Sequence, residues 1–172
     1  MRIKILSELI DEEVIGKVAE ALSEVYGYEV MIDFSEEIVD ERFLNSRRMQ
    51  YDAWAVVKEY QALRDEDQYL LLVTVKDLYA AGLNYVFGLA WRGVAIISAY
   101  RLRQEFYGEE PDRNLFIERL IKEAVHEIGH LLGLAHCDDR RCVMAFSNWI
   151  GDTDYKSWRP CRRCLSKLGI SP

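Results

Sequence analysis

Apolar positions along the chain recur with two periods, and the alternation between them lays out the elements. Arg2 to Leu6 alternates as a first strand would, and Ser7 stands where a helix N-cap belongs. The amphipathic stretch that follows runs to about Tyr26 and is closed by Gly27. Tyr28 to Phe34 alternates again. After a polar loop, Met49, Ala53, Val56, Val57 and Tyr60 recur at helical spacing, which predicts a second helix over about Arg47 to Leu63. The run QYLLLVTVKDLY, Gln68 to Tyr79, is almost continuously apolar, the pattern of a central strand buried on both faces. Asn84 to Trp91 and Gly93 to Tyr100 flank Arg92 and Gly93 and predict two further strands joined by a short turn. From about Asn114 to Leu132, Phe116, Leu120, Ile121, Ala124, Val125, Ile128 and Leu131 form one wide apolar face, the mark of a third helix packed on a sheet.

Beyond Gly133 the texture changes. All four cysteines lie there, with no long periodic segment. Such a stretch cannot build its own core and needs a metal or a covalent staple. The pattern therefore predicts a mixed α/β fold of about five strands and three main helices. It reads as a single domain over residues 1–172: an α/β lobe (1–133) and a small irregular C-terminal subdomain (134–172).

Composition narrows the class. Half of the 172 residues are apolar and 30% are charged, as in an ordinary globular protein. A net charge of −7 disfavours general nucleic-acid binding, which needs a basic surface. The N-terminal apolar run is broken by Lys4 and Ser7 and has no cleavage pattern of a signal peptide, and no run approaches the roughly 18 apolar residues of a membrane span. The expectation is a cytoplasmic protein, with no membrane association and a monomer favoured.

The chain has three histidines, and all of them, His126, His130 and His136, lie within HEIGHLLGLAHC. On a helix, His126 and His130 stack on one face at i, i+4, so two imidazoles can reach one Zn²⁺ at about 2.0–2.1 Å. Glu127 points about 100° away around the helix, near the metal but poorly placed to bind it, and suited to take a proton from a water. Catalytic zinc sites use three protein ligands and leave a position open. Gly133 supplies the geometry for the third, since glycine accepts φ > 0 and can turn the chain so that His136 returns to the metal. Taken singly, a histidine on an apolar helix is usually a satisfied core residue. The complete set is not.

His126, Glu127, His130, Gly133 and His136 match the HExxHxxGxxH pattern, and the chain thereby resembles the metzincin metallopeptidases, with Met144 at the place of their Met-turn methionine. Cys137 directly after the third histidine, Cys142, Met144, and Cys161 with Cys164 in CRRC make it more specifically similar to the archaemetzincins. The motif covers Val125 to Cys164, and its stretch between Met144 and Cys161 is about one residue shorter than the family pattern. The resemblance implies a metzincin-like zincin with a mixed, twisted, five-stranded sheet, three helices and two zinc ions per chain. It also implies a peptidase, with aminopeptidase action on short peptides as one form.

The four cysteines offer the ligand set of a closed structural zinc site. Two disulfides or a redox CxxC are the alternatives, both less suited to a cytosolic chain in which CRRC opens no thioredoxin-like unit. A further alternative is a non-catalytic module. Lys156, Trp158, Arg159, Arg162, Arg163 and Lys167 surround the cysteines and could bind a protein or nucleic-acid partner. As a peptidase, the chain would use zinc and Glu127 to activate water and would take a peptide or protein substrate. The substrate would lie along an edge strand within Asn84 to Trp91, with Ser147 to Trp149 walling a specificity pocket. Phe146, where some metzincins carry tyrosine, offers no hydroxyl to a transition state. No inhibitory propeptide is expected.

Overall fold

The computed structural model describes residues 1–171. Its main sheet holds five strands, β1 (Arg2–Ser7), β2 (Val30–Phe34), β5 (Gln68–Thr74), β7 (Gly88–Trp91) and β8 (Val94–Ser98), in the order β2-β1-β5-β8-β7. All neighbours are parallel except β7, which runs antiparallel to β8 and, among the described residues, has no partner on its other side. The Asn84–Trp91 segment is thus a strand only from Gly88, and it lies at the sheet edge.

Period-2 alternation places two helical layers. Ile3, Ile5, Leu71, Val73, Ala95 and Ile97 face α1 (Glu12–Tyr26) and α3 (Arg113–Leu131), whereas Leu70, Leu72, Val94 and Ile96 face α2 (Ala53–Leu63). Burial on both sides accounts for the unbroken apolar run of β5. The α1–α3 core continues without interruption into Cys142, Val143, Met144, Ile150, Cys164 and Leu165. The C-terminal segment, with the short helices α4 (Ile150–Tyr155) and α5 (Arg162–Lys167), therefore packs on the same core as the sheet.

Two helix starts differ from the pattern's prediction, for local reasons. Ser7 ends β1 and gives its hydroxyl to the Leu9 carbonyl, and Asp11 caps α1 by accepting from the Val14 amide. Met49 is not on the apolar face of α2. It takes φ 54° in an exposed turn, and α2 begins only at Ala53 because Asp52 accepts from the Trp54 and Ala55 amides. The residues between build a small second sheet that periodicity did not indicate: β3 (Leu44–Asn45), β4 (Gln50–Asp52) and β6 (Leu78–Tyr79), the last taken from the end of the apolar run.

One buried carboxylate ties these layers together. Glu8, beyond the end of β1, accepts from the amides of Ile38 (2.7 Å), Val39 (2.8 Å) and Val75 (3.1 Å) and from the Thr74 hydroxyl (2.5 Å). It pins the loop after β2 to the end of β5, which seats Ile38 and Val39 against α2. Glu8→Gln places amide hydrogens against donors. It is expected to cost about 2–4 kcal/mol in urea denaturation, against about 1 kcal/mol for Thr74→Val.

Candidate active site and metal centres

The first centre is built by the end of α3. Leu132 caps the helix, Gly133 follows at φ 100°, the Leu134 amide donates to the Gly129 carbonyl (2.9 Å) and the Gly133 amide to the His130 carbonyl (3.0 Å). This is a Schellman cap, with buried Leu134 as its hydrophobic contact. The same turn presents the Leu134 carbonyl to His130 Nδ1 at 2.7 Å, while the Val143 carbonyl meets His126 Nδ1 at 2.7 Å. Two backbone acceptors thus fix both rings with Nδ1 protonated and Nε2 free, and the two Nε2 atoms lie 3.0 Å apart. His136 arrives beyond the turn with its ring centroid 5.4 Å from that of His126 and 4.8 Å from that of His130. Burial lowers the pKa of all three, which keeps the imidazoles in the neutral form that binds metal. One nitrogen from each lies within 4.8 Å of the others, and His136 is exposed, so the set fits one cation approached from solvent.

Glu127 is buried beside this cluster, facing the edge strand. A methyl group on Gly88 would sit 2.7 Å from Glu127 Oε1 and 2.9 Å from the Ile96 carbonyl oxygen, so only glycine admits this close approach. Burial, and after it the Glu123 carboxylate, hold the Glu127 carboxyl well above its usual pKa, with the Lys156 ammonium opposing them. Beneath the helix Met144 is fully buried. Its Sδ lies against Gly129, where the Tyr26 hydroxyl, bonded to the Val125 carbonyl, closes the other side.

The second centre brings together all four cysteines. Cys137 and Cys161 sulfurs are 3.9 Å apart and those of Cys142 and Cys164 3.8 Å, with the whole set within 4.8 Å. A disulfide needs about 2.05 Å, whereas a tetrahedral ion with Zn–S near 2.3 Å sets its sulfurs about 3.8 Å apart. The amides of Met144 and Cys161 donate to Cys142 Sγ (3.4 and 3.2 Å), as expected around a thiolate. The surrounding basic residues are largely engaged: Arg163 pairs with Asp138, Arg159 with Glu24, and Lys156 points inward to the Ala145 carbonyl.

Between the edge-strand side and the C-terminal segment runs a cleft of about 530 Å³, lined by Tyr85 to Ala90, the three histidines, Glu127, and Phe146 to Asn148. Of the residues expected to wall it, Ser147 and Asn148 do so, while Trp149 turns outward at 61% exposure. Pattern analysis did not find Glu123 and set Lys156 among the basic residues around the cysteines; both line the cleft and are each only 3% exposed. A signal existed for Glu123: it lies one turn before Glu127 and so shares the face that carries the motif.

An active-site helix with two imidazoles, a third delivered beyond a left-handed glycine, and a mixed sheet with one antiparallel edge define a zincin of the metzincin type. The profile of peptidase family M54 matches residues 4–169. The archaemetzincin of Pyrococcus furiosus is 54% identical over 113 residues, covering 64% of this chain and 56% of the relative. That of Saccharolobus solfataricus is 39% identical over 162 residues, covering 92% and 87%. The chain spans about half the length of the Pyrococcus relatives it matches. Among crystal structures, a zinc-dependent peptidase from Methanocorpusculum labreanum superposes with a TM-score of 0.88 at 32% identity, over 96% of this chain and 99% of that one. The Archaeoglobus fulgidus archaemetzincin complexed with malonate gives 0.82 at 36%, over 97% and 99%. This chain belongs to peptidase family M54, the archaemetzincins, a zinc-dependent metallopeptidase family.

The contact between Met144 and Gly129 is directly testable. In Gly129→Ala the new methyl would meet Met144 Sδ at 2.5 Å and the Tyr26 hydroxyl at 2.8 Å, an overpacking expected to cost about 1–3 kcal/mol in urea denaturation. Gly16→Ala, in α1 with nothing within 4 Å, should instead be neutral or stabilising.

Proposed function

We propose that this chain is a zinc-dependent peptidase in which His126, His130 and His136 hold the catalytic ion and Glu127 is the general base. The observation that carries the reading is the convergence of three neutral imidazoles, two of them oriented by backbone carbonyls, beside a buried carboxylate in a cleft. A zinc ion bound there would supply Lewis acidity, bringing the pKa of water toward about 7 and polarising the scissile carbonyl. Glu127 takes the proton from the attacking water and hands it to the leaving amine. Its burial strengthens its hold on a proton, and the cation beside it opposes that, so the carboxylate can both accept and release.

The substrate lies extended, adding antiparallel to the outer side of β7, the strand to which Gly88 lets Glu127 come close. The cleft volume suits a short peptide, and action near the amino end is the form to test first. Phe146 has no hydroxyl to donate, so this position adds no stabilisation to the transition state. Met144 supports the floor of the site. Cys137, Cys142, Cys161 and Cys164 hold a second, structural zinc, in keeping with a reducing, cytoplasmic setting.

Glu127→Gln tests the mechanism. Turnover of a diverse peptide library by the zinc-loaded protein should fall by about 10²–10⁴-fold while bound zinc is unchanged; retained activity would remove Glu127 from its role. Metal analysis tests the ligands separately. The intact chain should carry two zinc ions. Cys142→Ser with Cys164→Ser should lose one, and His126→Ala with His130→Ala the other.

A further inference from the structure

The mechanism leaves two buried charged groups in the cleft unused. Glu123 and Lys156 both line it at 3% exposure, although they are not in contact as an ion pair. Each is under-partnered. The Glu123 carboxylate receives one long bond, from the Thr153 hydroxyl at 3.3 Å, and that hydroxyl is shared with Ser147 at 3.0 Å. Lys156 Nζ gives one bond, to the Ala145 carbonyl at 3.1 Å, and keeps two N–H donors for whatever enters. Burial pushes Glu123 up and Lys156 down toward their neutral forms, and each one's charge opposes the other's shift. In either protonation state the pair is neutral as a whole.

Their place along the cleft tells which half of a substrate meets them. The metal ligands occupy the His126–His130 turn of α3, and Glu123 lies one turn, about 5.4 Å, toward the helix N-terminus from Glu127. Because Glu127 must reach the leaving nitrogen, the half of the peptide that departs as the amine lies on its side of the metal.

We propose that Glu123 and Lys156 form the floor of a subsite for the residue that follows the cleaved bond, and that it selects an uncharged side chain that both donates and accepts hydrogen bonds. A carboxamide, as in glutamine or asparagine, fits best. Its carbonyl accepts from Nζ and its NH₂ donates to the carboxylate. An apolar side chain would displace water and leave each group buried with a single hydrogen bond. A basic side chain would satisfy Glu123 but meet Lys156 as a like charge, and an acidic one the reverse.

This inference rests on the peptidase reading for the direction of the substrate, and its test is independent of turnover. Succinyl hydroxamates, which chelate zinc, would carry carboxamidoethyl, carboxyethyl, aminobutyl or isobutyl groups at the position of that residue. Their affinities for the zinc-loaded protein would be measured by calorimetry. The carboxamide should bind about 10-fold or more tighter than the other three. Lys156→Met should move the preference to aminobutyl, and Glu123→Gln to carboxyethyl. Tightest binding of the isobutyl compound, the same order in both variants, or no binding of any probe would overturn the subsite. Should one variant fail to fold, the other decides; should both fail, the order in the unaltered protein decides. A protein that binds the probes in the expected order yet cleaves no peptide would refute the activity and leave the subsite standing.

Discussion

The left-handed turn at Gly133 is the constraint from which the site is built. A helix end leaves four carbonyls without partners, and a residue at φ near 100° lets two following amides return to two of them. The same reversal aims the Leu134 carbonyl at His130 and sends the chain back toward the helix, so that His136 meets the other two rings. Helix termination, orientation of the His130 ring and delivery of His136 are one event. A residue with a Cβ would have to adopt that φ at a cost of about 1–2 kcal/mol and would strain all three together.

Much of this was legible in the sequence because it rests on spacing. The i, i+4 histidines and the glycine place the metal cluster from local geometry alone, and the alternation of β1, β5 and β8 gives the layers. What escaped depends on competition between local signals. Ser7 and Asp11 are both good caps, and the hydroxyl of Ser7 was taken by a nearer carbonyl. Met49 keeps helical phase with Ala53 and Val56, but the Asp52 cap starts α2 after it and leaves the methionine 71% exposed. Two-residue strands such as β3 and β6 have too few positions to display a period.

Buried charge is the other feature that pattern could not resolve. A wide apolar face on α3 was evident, but the rest of the helix is largely buried too, and it carries Arg119 and Lys122, with Glu123 and Glu127 at the border of the apolar face. Charges survive burial only with partners; Lys122 has Glu118 one turn back on the same helix at 2.8 Å, and the other partners come from distant segments. Arg119 forms a two-pronged pair with Asp154, both bonds at 2.7 Å, and also donates to the Leu102 carbonyl. Lys122 reaches the Asp154 carbonyl, and Thr153 reaches Glu123. Helical spacing reports the Glu118–Lys122 pair, but no periodicity within either segment reports the pairings between segments.

These partners explain what the cysteine cluster contributes to the cleft. Asp154, Thr153 and Lys156 all lie on the stretch between Cys142 and Cys161, whose ends are drawn together at one cluster. An ion held by the four sulfurs would close this loop of about 20 residues, and its binding would offset the roughly 3 kcal/mol of chain entropy that closure costs. Without that closure, the segment would be ordered only by burying Val143, Met144 and Ile150 and by its polar contacts to α3. Such contacts have a net worth of about 1 kcal/mol each, against about 1–2 kcal/mol for every residue ordered. The cluster and the buried charges therefore depend on each other: the sulfurs fix the segment that neutralises α3, and α3 gives that segment a surface on which to fold.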